Sequence, residues 1–253
     1  MRVTLRRLRS LLATSAPLYD AEVVRSLRDE LKWIAGELGA ARDSQVVRKR
    51  LGALARTPQE RVVAQRAQEE LGAAESAGLE KSIAAMDSER YSAVVRDLNS
   101  FAADPPWTPG LEGSADEVLR RRVWKDWKRL RRRAEAAARV TSADHEAALH
   151  DVRRAAKRLR YSTGVLVPSY GDDAIRLSRG AKRIQTELGE VQDSAVTRSV
   201  LRTMLRTGAA DVDEVFGLGA LSGQERLLSA RAEAGYARTW TKLSRKKNRR
   251  WLK

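Results

Sequence analysis

Cysteine is absent from this sequence of 253 residues, and histidine occurs only twice. Without cysteine a chain has no disulfide scaffold, no thiol nucleophile and no cysteine zinc site, and two histidines are too few for a histidine metal cage. We therefore expect neither a metal site nor a bound cofactor.

Long apolar runs are missing as well. No segment approaches the roughly 20 consecutive apolar residues of a membrane span, and no signal peptide with a continuous apolar centre opens the chain. Hydrophobic residues nevertheless make up 42% of the sequence, beside 32% charged residues. This balance excludes a disordered polycation and predicts a soluble, cytoplasmic protein with a sizeable core.

The periodicity of the apolar residues predicts helices throughout. Aromatic residues make up only 5%, no segment alternates as a strand does, and Leu27, Leu31 and Ile34 show the spacing of one helix face. We predict an all-α protein whose helices are joined by short turns. Breaks are predicted at residues 15–17, Gly39, 57–58, Gly78, 168–171 and 208–211.

A further break, the strongest in the chain, is predicted at the proline-rich residues 104–110. It holds three of the six prolines of the chain. We predict a domain boundary there, with a first helical bundle at residues 1–104, a linker at 105–114 and a second helical bundle at 115–253. Each half has a length suited to about four packed helices.

Two motifs recur in the same order with nearly the same separation. Residues 1–9 align with residues 152–160 at an offset of 151, and residues 38–44 align with residues 188–194 at an offset of 150. A period this long is unsuited to a solenoid. We therefore infer an internal duplication that produces two pseudo-equivalent helical bundles.

The positive charge is concentrated in a few segments. The formal net charge is +16, and residues 1–10, 120–133 and 150–161 carry +4, +8 and +4. The last twelve residues, from Lys242, form a basic tail that adds +7. This distribution predicts cationic helices rather than a uniformly basic surface.

The segment that begins at His150 is strongly amphipathic. A helical wheel at about 100° per residue places His150 and Tyr161 near the centre of a cationic face, with Val152 and Leu159 on the opposite side. The other members of that face are Arg153, Arg154, Lys157, Arg158 and Arg160.

Other segments repeat this arrangement, with basic residues on one face and apolar residues such as Leu5 and Val123 behind them. The first carries Arg2, Arg6, Arg7 and Arg9, the second carries Arg122, Lys125, Arg129 and Arg132, and a weaker stripe carries Arg176, Arg179 and Arg183.

A solvated helix face usually interleaves glutamate with lysine, because like charges four residues apart repel by about 0.2–0.5 kcal/mol. Here Arg2 and Arg6, and also Arg154 and Arg158, are like charges at that spacing. Arginine dominates over lysine, and its planar group matches paired phosphate oxygens. We therefore interpret the cationic faces as the surface for a polyanionic ligand.

Residues 150–161 resemble the signature of the CHAD family, the conserved histidine α-helical domain. The basic opening segment agrees with it, as does the Leu-Gly pair repeated at residues 38–39 and 188–189 with an aspartate four residues after the glycine. The resemblance covers essentially the whole chain. It implies two four-helix bundles related by pseudo-twofold symmetry, with basic helices that line a central groove or pore.

The resemblance further implies that the protein binds inorganic polyphosphate, for which phosphate or sulfate would stand in crystals, and that it associates with polyphosphate granules. In the family the first repeat also carries a histidine, two residues before the position that matches Met1, so the first half is expected to lack its start. We assign the polyphosphate-binding role to Arg2, Arg6, Arg7, Arg9, Arg122, Lys125, Arg129, Arg132, His150, Arg153, Arg154, Lys157, Arg158, Arg160, Tyr161, Arg179 and Arg183.

Two other functions are compatible with the same charges. A non-specific nucleic-acid binder would use the cationic faces and the basic tail, although no helix-turn-helix, zinc or RNA-recognition signature is present. A histidine phosphotransfer bundle would use His150, but such domains place a small glycine where this chain has Arg154. Hydrolysis of polyphosphate is disfavoured because the cationic segments carry only Asp126 and Asp151 as metal-binding carboxylates. We expect a protein that is not an enzyme.

Overall fold

The all-α prediction is confirmed by the computed structural model, which describes residues 1–109, 114–141, 144–208 and 211–252, apart from the side chains of Ala40, Ala41 and Asp43. Residues 110–113 of the predicted linker lie outside this part. The described residues contain no β-strand, only a single bridge between Tyr19 and Trp107. Their helices are α1 (Arg2–Ser15), α2 (Ala21–Glu37), α3 (Ala40–Leu54), α4 (Pro58–Met86), α5 (Glu89–Ala103), α6 (Ala115–Ala137), α7 (His145–Val165), α8 (Val167–Arg206) and α9 (Val212–Leu243).

Most helix boundaries fall at the predicted breaks. The break at 57–58 is a capping box, in which Glu60 accepts the backbone N–H of Thr57 at 3.0 Å while Thr57 Oγ1 accepts the N–H of Glu60 at 3.3 Å. Gly171, with φ 43°, interrupts the helical backbone inside α8, and Gly208, with φ 103°, follows its end.

The break predicted at Gly78 is wrong, because α4 continues through that residue. Gly78 is buried there, and the Ser82 hydroxyl lies 2.8 Å from the Gly78 carbonyl and 3.1 Å from the Glu37 carbonyl. A helix interior tolerates one glycine at about 1 kcal/mol relative to alanine, which tertiary packing readily offsets.

The chain forms two compact units that interleave along the sequence. Unit 1 comprises Met1–Gly36, Ala85–Leu188 and Tyr236–Lys253, and unit 2 comprises Glu37–Ala84 and Gly189–Gly235. The predicted division into residues 1–104 and 115–253 stays a prediction.

The unit boundaries recur with the period of the sequence motifs. The chain first leaves unit 1 after residue 36 and leaves it again after residue 188, which is 152 residues later. It returns to unit 1 after residues 84 and 235, which are 151 residues apart. These separations are close to the offsets of 150 and 151 between the repeated motifs. The inferred duplication is consistent with this recurrence but stays a prediction, as does the central groove.

Two ion pairs define how α6 and α7 pack in unit 1. Arg158 Nε lies 2.7 Å from Asp126 Oδ1, and Arg133 Nη1 lies 3.1 Å from Asp151 Oδ2. Asp126 and Arg133 are seven residues apart on α6, and their partners Arg158 and Asp151 are seven residues apart on α7 in the reverse order. The two helices therefore run antiparallel. Helix α1 packs against both of them, with Leu5 and Leu12 buried and with Arg2, Arg6 and Arg9 half-buried beside them.

Unit 2 holds a buried ion pair beside its apolar core. Arg50 donates to both carboxylate oxygens of Glu225, at 2.6 and 2.9 Å, and to Glu190 at 2.8 Å. Because Glu225 is fully buried, this bidentate pair satisfies a charge that would otherwise be unpaired. The core around it consists of Val47, Leu51, Val63, Ala67, Leu201, Met204, Leu218 and Leu221.

A close approach of α4 and α9 within unit 2 requires glycine at position 217. A Cβ atom there would lie 2.7 Å from the Gln59 carbonyl carbon and 3.1 Å from Val63 Cγ2, whereas one at Gly219, on the same helix, would meet nothing within 4 Å. Since backbone atoms cannot move aside as a side chain does, Gly217→Ala should lower the free energy of unfolding by about 1–3 kcal/mol.

The matched control is Gly219→Ala, which should raise the free energy of unfolding by about 0.5–1 kcal/mol through helix propensity. Urea unfolding followed by circular dichroism measures both variants. Equal stabilities for the two would contradict the close packing at Gly217.

Candidate anion-binding site

Lys157 lies at the centre of a cluster of positive charges in unit 1. Burial of its side chain, reinforced by neighbouring guanidinium groups, lowers the pKa of Lys157 from 10.5 to about 8. In decreasing order of effect those neighbours are Arg6, Arg153, Arg9 and Arg154. Helices α1 and α7 therefore bring five cations together, which we call the Lys157 cluster.

Four members of the Lys157 cluster lack a carboxylate partner. Within the described part of the chain, Arg6, Arg153, Arg154 and Lys157 have no acidic group within 4.0 Å. Packing of α1 against α7 thus holds these four like charges together without a neutralising ion pair. Such an arrangement favours an anion as its counterpart.

Buried donor groups accompany these charges. The Nε atoms of Arg9, Arg28 and Arg153 are buried and find no hydrogen-bond acceptor among the described residues. Burial, followed by repulsion from Arg28 on α2, lowers the pKa of Arg9, while Asp29 acts in the opposite direction. Unsatisfied buried donors raise the free energy of the unliganded protein, so a ligand with several acceptor oxygens would stabilise it.

The single acid in the basic stripe of α6 has a structural role. Asp126 is 2% exposed, and it accepts from Arg158 at 2.7 Å, with Arg129 at 4.0 Å. Arg158 therefore joins α7 to α6 instead of projecting freely from the cationic face. Arg122 is also engaged, because its Nη2 donates to the Ala13 carbonyl at 3.3 Å.

The end of the cationic face of α7 packs towards α8. Arg160 Nη1 donates to Gln185 Oε1 at 3.2 Å, and its guanidinium carbon lies 5.1 Å from the centre of the Tyr161 ring. Ser178 Oγ donates to the Arg160 carbonyl at 3.2 Å. These contacts make Arg160 a connection between helices.

The remaining predicted residues differ in accessibility. His150 precedes Arg153 by one turn of α7, is half-buried and interacts with another group of the protein. Arg2 is half-buried and also has an interaction partner. The exposed members are Arg7, Lys125, Arg129, Arg132, Arg179 and Arg183. The anion-binding role of all 17 residues stays a prediction.

The basic C-terminal segment is folded onto unit 1, which sequence reasoning missed. Asn248 Nδ2 donates to the carbonyls of Lys242, at 2.8 Å, and Leu243, at 3.3 Å, which caps the end of α9. The Arg249 guanidinium lies 5.3 Å from the Trp127 ring centre, and the ring centres of Trp251 and Tyr170 are 4.8 Å apart. Trp251 and Leu252 were the available signal, because a solvated tail has little use for apolar residues.

Comparison with known proteins places this architecture in a family. Residues 1–202 match the family model of the CHAD domain. The chain belongs to the CHAD family. Helix α9 and the C-terminal segment follow the residues matched by that model.

Similar proteins include two uncharacterized proteins of Mycobacterium tuberculosis, from strains CDC 1551 and H37Rv. Each is 32% identical over 239 residues, which cover 91% of this CHAD protein and 45% of the relative. The chain thus spans less than half the length of the curated relatives it matches.

Two solved structures share the fold. PptA from Streptomyces chartreusis has a TM-score of 0.76 at 20% identity, with 95% of this chain and 87% of PptA covered. The CHAD domain from the plant Ricinus communis has a TM-score of 0.69 at 27% identity, with 94% of this chain and 79% of that chain covered.

Membrane-spanning helices and metal-binding clusters are both absent from the described residues of the CHAD protein. No helix there is both long and apolar enough to cross a membrane. The same residues contain no group of three or more acidic or histidine side chains arranged to hold a metal ion.

The lowered pKa of Lys157 leads to a prediction about how the free energy of unfolding depends on pH. Below pH 8 Lys157 is charged in the folded and unfolded states, and the folded state carries the full penalty of burial and repulsion. This penalty is lost as the pH rises from 8 to 10.5, because only the folded state then releases the proton. At pH 7, Lys157→Met should therefore raise the free energy of unfolding by on the order of 1–3 kcal/mol.

Chemical denaturation at several pH values tests this. The difference between Lys157→Met and the unsubstituted protein should shrink towards pH 10.5, and Lys182→Met, at an exposed lysine, should change stability little. A destabilised Lys157→Met variant would show that Lys157 supports the fold and does not strain it.

Proposed function

We propose that this CHAD protein binds inorganic polyphosphate through the Lys157 cluster and does not cleave it. Polyphosphate is a flexible chain with one negative charge on each internal phosphate. Successive turns of α7, about 5.4 Å apart, can each present a cation to a different phosphate. Arg153 and Lys157 stand in this relation, and Arg6 and Arg9 of α1 add cations beside them.

The observation that carries the proposal is the crowding of four guanidinium groups around a half-buried lysine. In the free protein, burial and then this crowding disfavour the charged form of Lys157. A bound polyanion would reverse the effect, since a nearby opposite charge favours the charged form. The same anion would accept hydrogen bonds from the buried Nε atoms of Arg9 and Arg153.

Two features favour polyphosphate over nucleic acid. Tyr161, the aromatic residue predicted on the same face of α7, is half-buried beside Arg160, whereas single-strand binders stack bases on exposed aromatic rings. Lys157 is also recessed, and a thin chain reaches recessed cations more easily than a rigid duplex does. Nucleic-acid binding is therefore an outcome that the experiment below has to distinguish.

Absence of catalysis is part of the proposal. Hydrolysis of phosphoanhydrides commonly relies on metal ions held by carboxylates beside the phosphates. The two acids of the basic segments at residues 120–133 and 150–161 have other partners, because Asp126 is paired with Arg158 and Asp151 with Arg133. A binding module of this kind could bring the protein to polyphosphate granules in the cytoplasm.

The double variant Arg6→Gln/Arg153→Gln tests the binding site. We expect its affinity for long-chain polyphosphate to fall at least about tenfold, because each charged hydrogen bond contributes about 1.5–3 kcal/mol. Affinity should also decrease less steeply with salt, because fewer counterions are released on binding. Fluorescence titration at several salt concentrations measures both quantities.

The control Arg202→Gln/Arg231→Gln removes the same charge from exposed positions of unit 2. It should keep most of the affinity. Equal losses in the two double variants would indicate a non-specific charge effect, and equal affinity of the unsubstituted protein for random duplex DNA would contradict the proposal.

Polyphosphate affinity should depend on pH through Lys157. A bound phosphate chain raises the pKa of Lys157 from about 8, so binding above pH 8 takes up a proton. Affinity should therefore fall by about one order of magnitude between pH 7 and pH 9.5. Lys157→Arg, which stays charged throughout, should flatten this profile in the same titration. Parallel profiles for the two proteins would exclude Lys157 as the titrating group.

A further inference from the structure

A second cationic site lies in unit 1, at a cleft of about 380 Å³ between the first part of α8 and the end of α9. Small-ligand pockets begin at roughly 300 Å³, so the cleft is large enough for a compact ligand. The basic side chains that line it are Arg176, Arg179, Arg183 and Lys242.

The cleft does not belong to the Lys157 cluster. Ser178 and Gln185 mark the side of α8 that contacts α7, through Arg160. At about 100° per residue, the basic stripe of α8 lies roughly 140° around the helix from that side. None of the cleft residues is among the charges that act on Lys157.

Three of the four cations in the cleft have no internal counterion. Arg176 pairs with Asp173, but in the described ranges Arg179, Arg183 and Lys242 have no acidic group within 4.0 Å. Asp172 also lines the cleft, so the lining carries three more positive than negative charges. All four cations are exposed and accessible to a ligand.

The end of α9 packs closely against α8 at Gly180 and forms the opposite wall of the cleft. A Cβ atom at Gly180 would lie 3.3 Å from Leu243 Cγ and closer still to its Cδ1. Glycine thus lets the end of α9 approach α8, and this approach places Lys242 across the cleft from Arg179 and Arg183.

Side chains that cap the end of α9 donate hydrogen bonds to backbone carbonyl oxygens that would otherwise repel an anion. The last carbonyls of a helix carry partial negative charge. Here Asn248 donates to the carbonyls of Lys242 and Leu243, and Arg249 donates to that of Ser244. The lining of the cleft is therefore dominated by donors, to which the Thr239 hydroxyl adds one.

We propose that this cleft is a second anion site, selective for a compact oligophosphate of two or three linked phosphates. Three guanidinium groups and one ammonium group on facing walls suit a short, highly charged anion. Thr239, Lys242 and Asn248 lie beyond residue 202, where the match to the CHAD family model ends. The site is thus built in part by residues beyond the matched range, and it does not use the Lys157 cluster.

Calorimetric titration with inorganic triphosphate tests the proposal in a protein that already carries Arg6→Gln/Arg153→Gln, so that the Lys157 cluster contributes little. This background protein should bind one triphosphate per chain. Adding Arg179→Gln/Lys242→Gln should weaken that binding at least tenfold, whereas adding Arg202→Gln/Arg231→Gln removes the same charge elsewhere and should weaken it less than threefold. Thermal unfolding confirms that each variant is folded.

The outcomes separate the two proposals. Undiminished triphosphate binding after Arg179→Gln/Lys242→Gln, or an equal loss in the charge-matched control, would overturn the cleft site and leave the Lys157 cluster unaffected. The affinity for long-chain polyphosphate, compared with the affinity for triphosphate at equal concentration of chains, shows whether the cleft distinguishes a free oligophosphate from the end of a long chain. Equal affinity for the long chain would contradict selectivity for a compact oligophosphate, and weaker binding of the long chain would support it.

Discussion

The charge of Lys157, held in a half-buried position beside other cations, is the constraint on which the Lys157 cluster depends. Burial, followed by repulsion from Arg6 and Arg153, disfavours the charged form of Lys157. The apolar sides of α1, α6 and α7 supply the opposing free energy, through residues such as Leu5 and Leu159. The cationic cluster is thus a strained surface that its own core holds in place.

The sequence predicted the components of this arrangement better than their assembly. Apolar spacing identified the helices and the cationic face of α7, because both follow from 3.6 residues per turn. It could not show that Arg6 and Arg9 of α1 would meet Lys157, since the contact between the two helices is decided by packing of residues far apart in the chain. Arg179 and Arg183 illustrate the same limit, because their stripe faces away from α7.

Asp126 shows why composition alone misjudges individual residues. It was the one acid among nine bases in the stripe of α6, and the sequence indicated no role for it beyond that of a possible metal-binding carboxylate. In the fold it is buried and joins α6 to α7 through Arg158, so one predicted binding residue became part of the framework. The basic C-terminal segment was misjudged for a similar reason. Its charge suggested a basic tail available to nucleic acid, whereas Trp251 and Leu252 pack in unit 1.

The interleaving of the two units has a consequence for the chain as a whole. Each unit takes segments from before and after the proline-rich stretch, at positions that recur about every 150 residues. A cut at that stretch would therefore leave each fragment with part of two cores and with no complete core. The two halves of this single polypeptide depend on one another as the subunits of an obligate dimer do. In a dimer the protein concentration determines how often the subunits associate, whereas here the peptide chain keeps the two halves together.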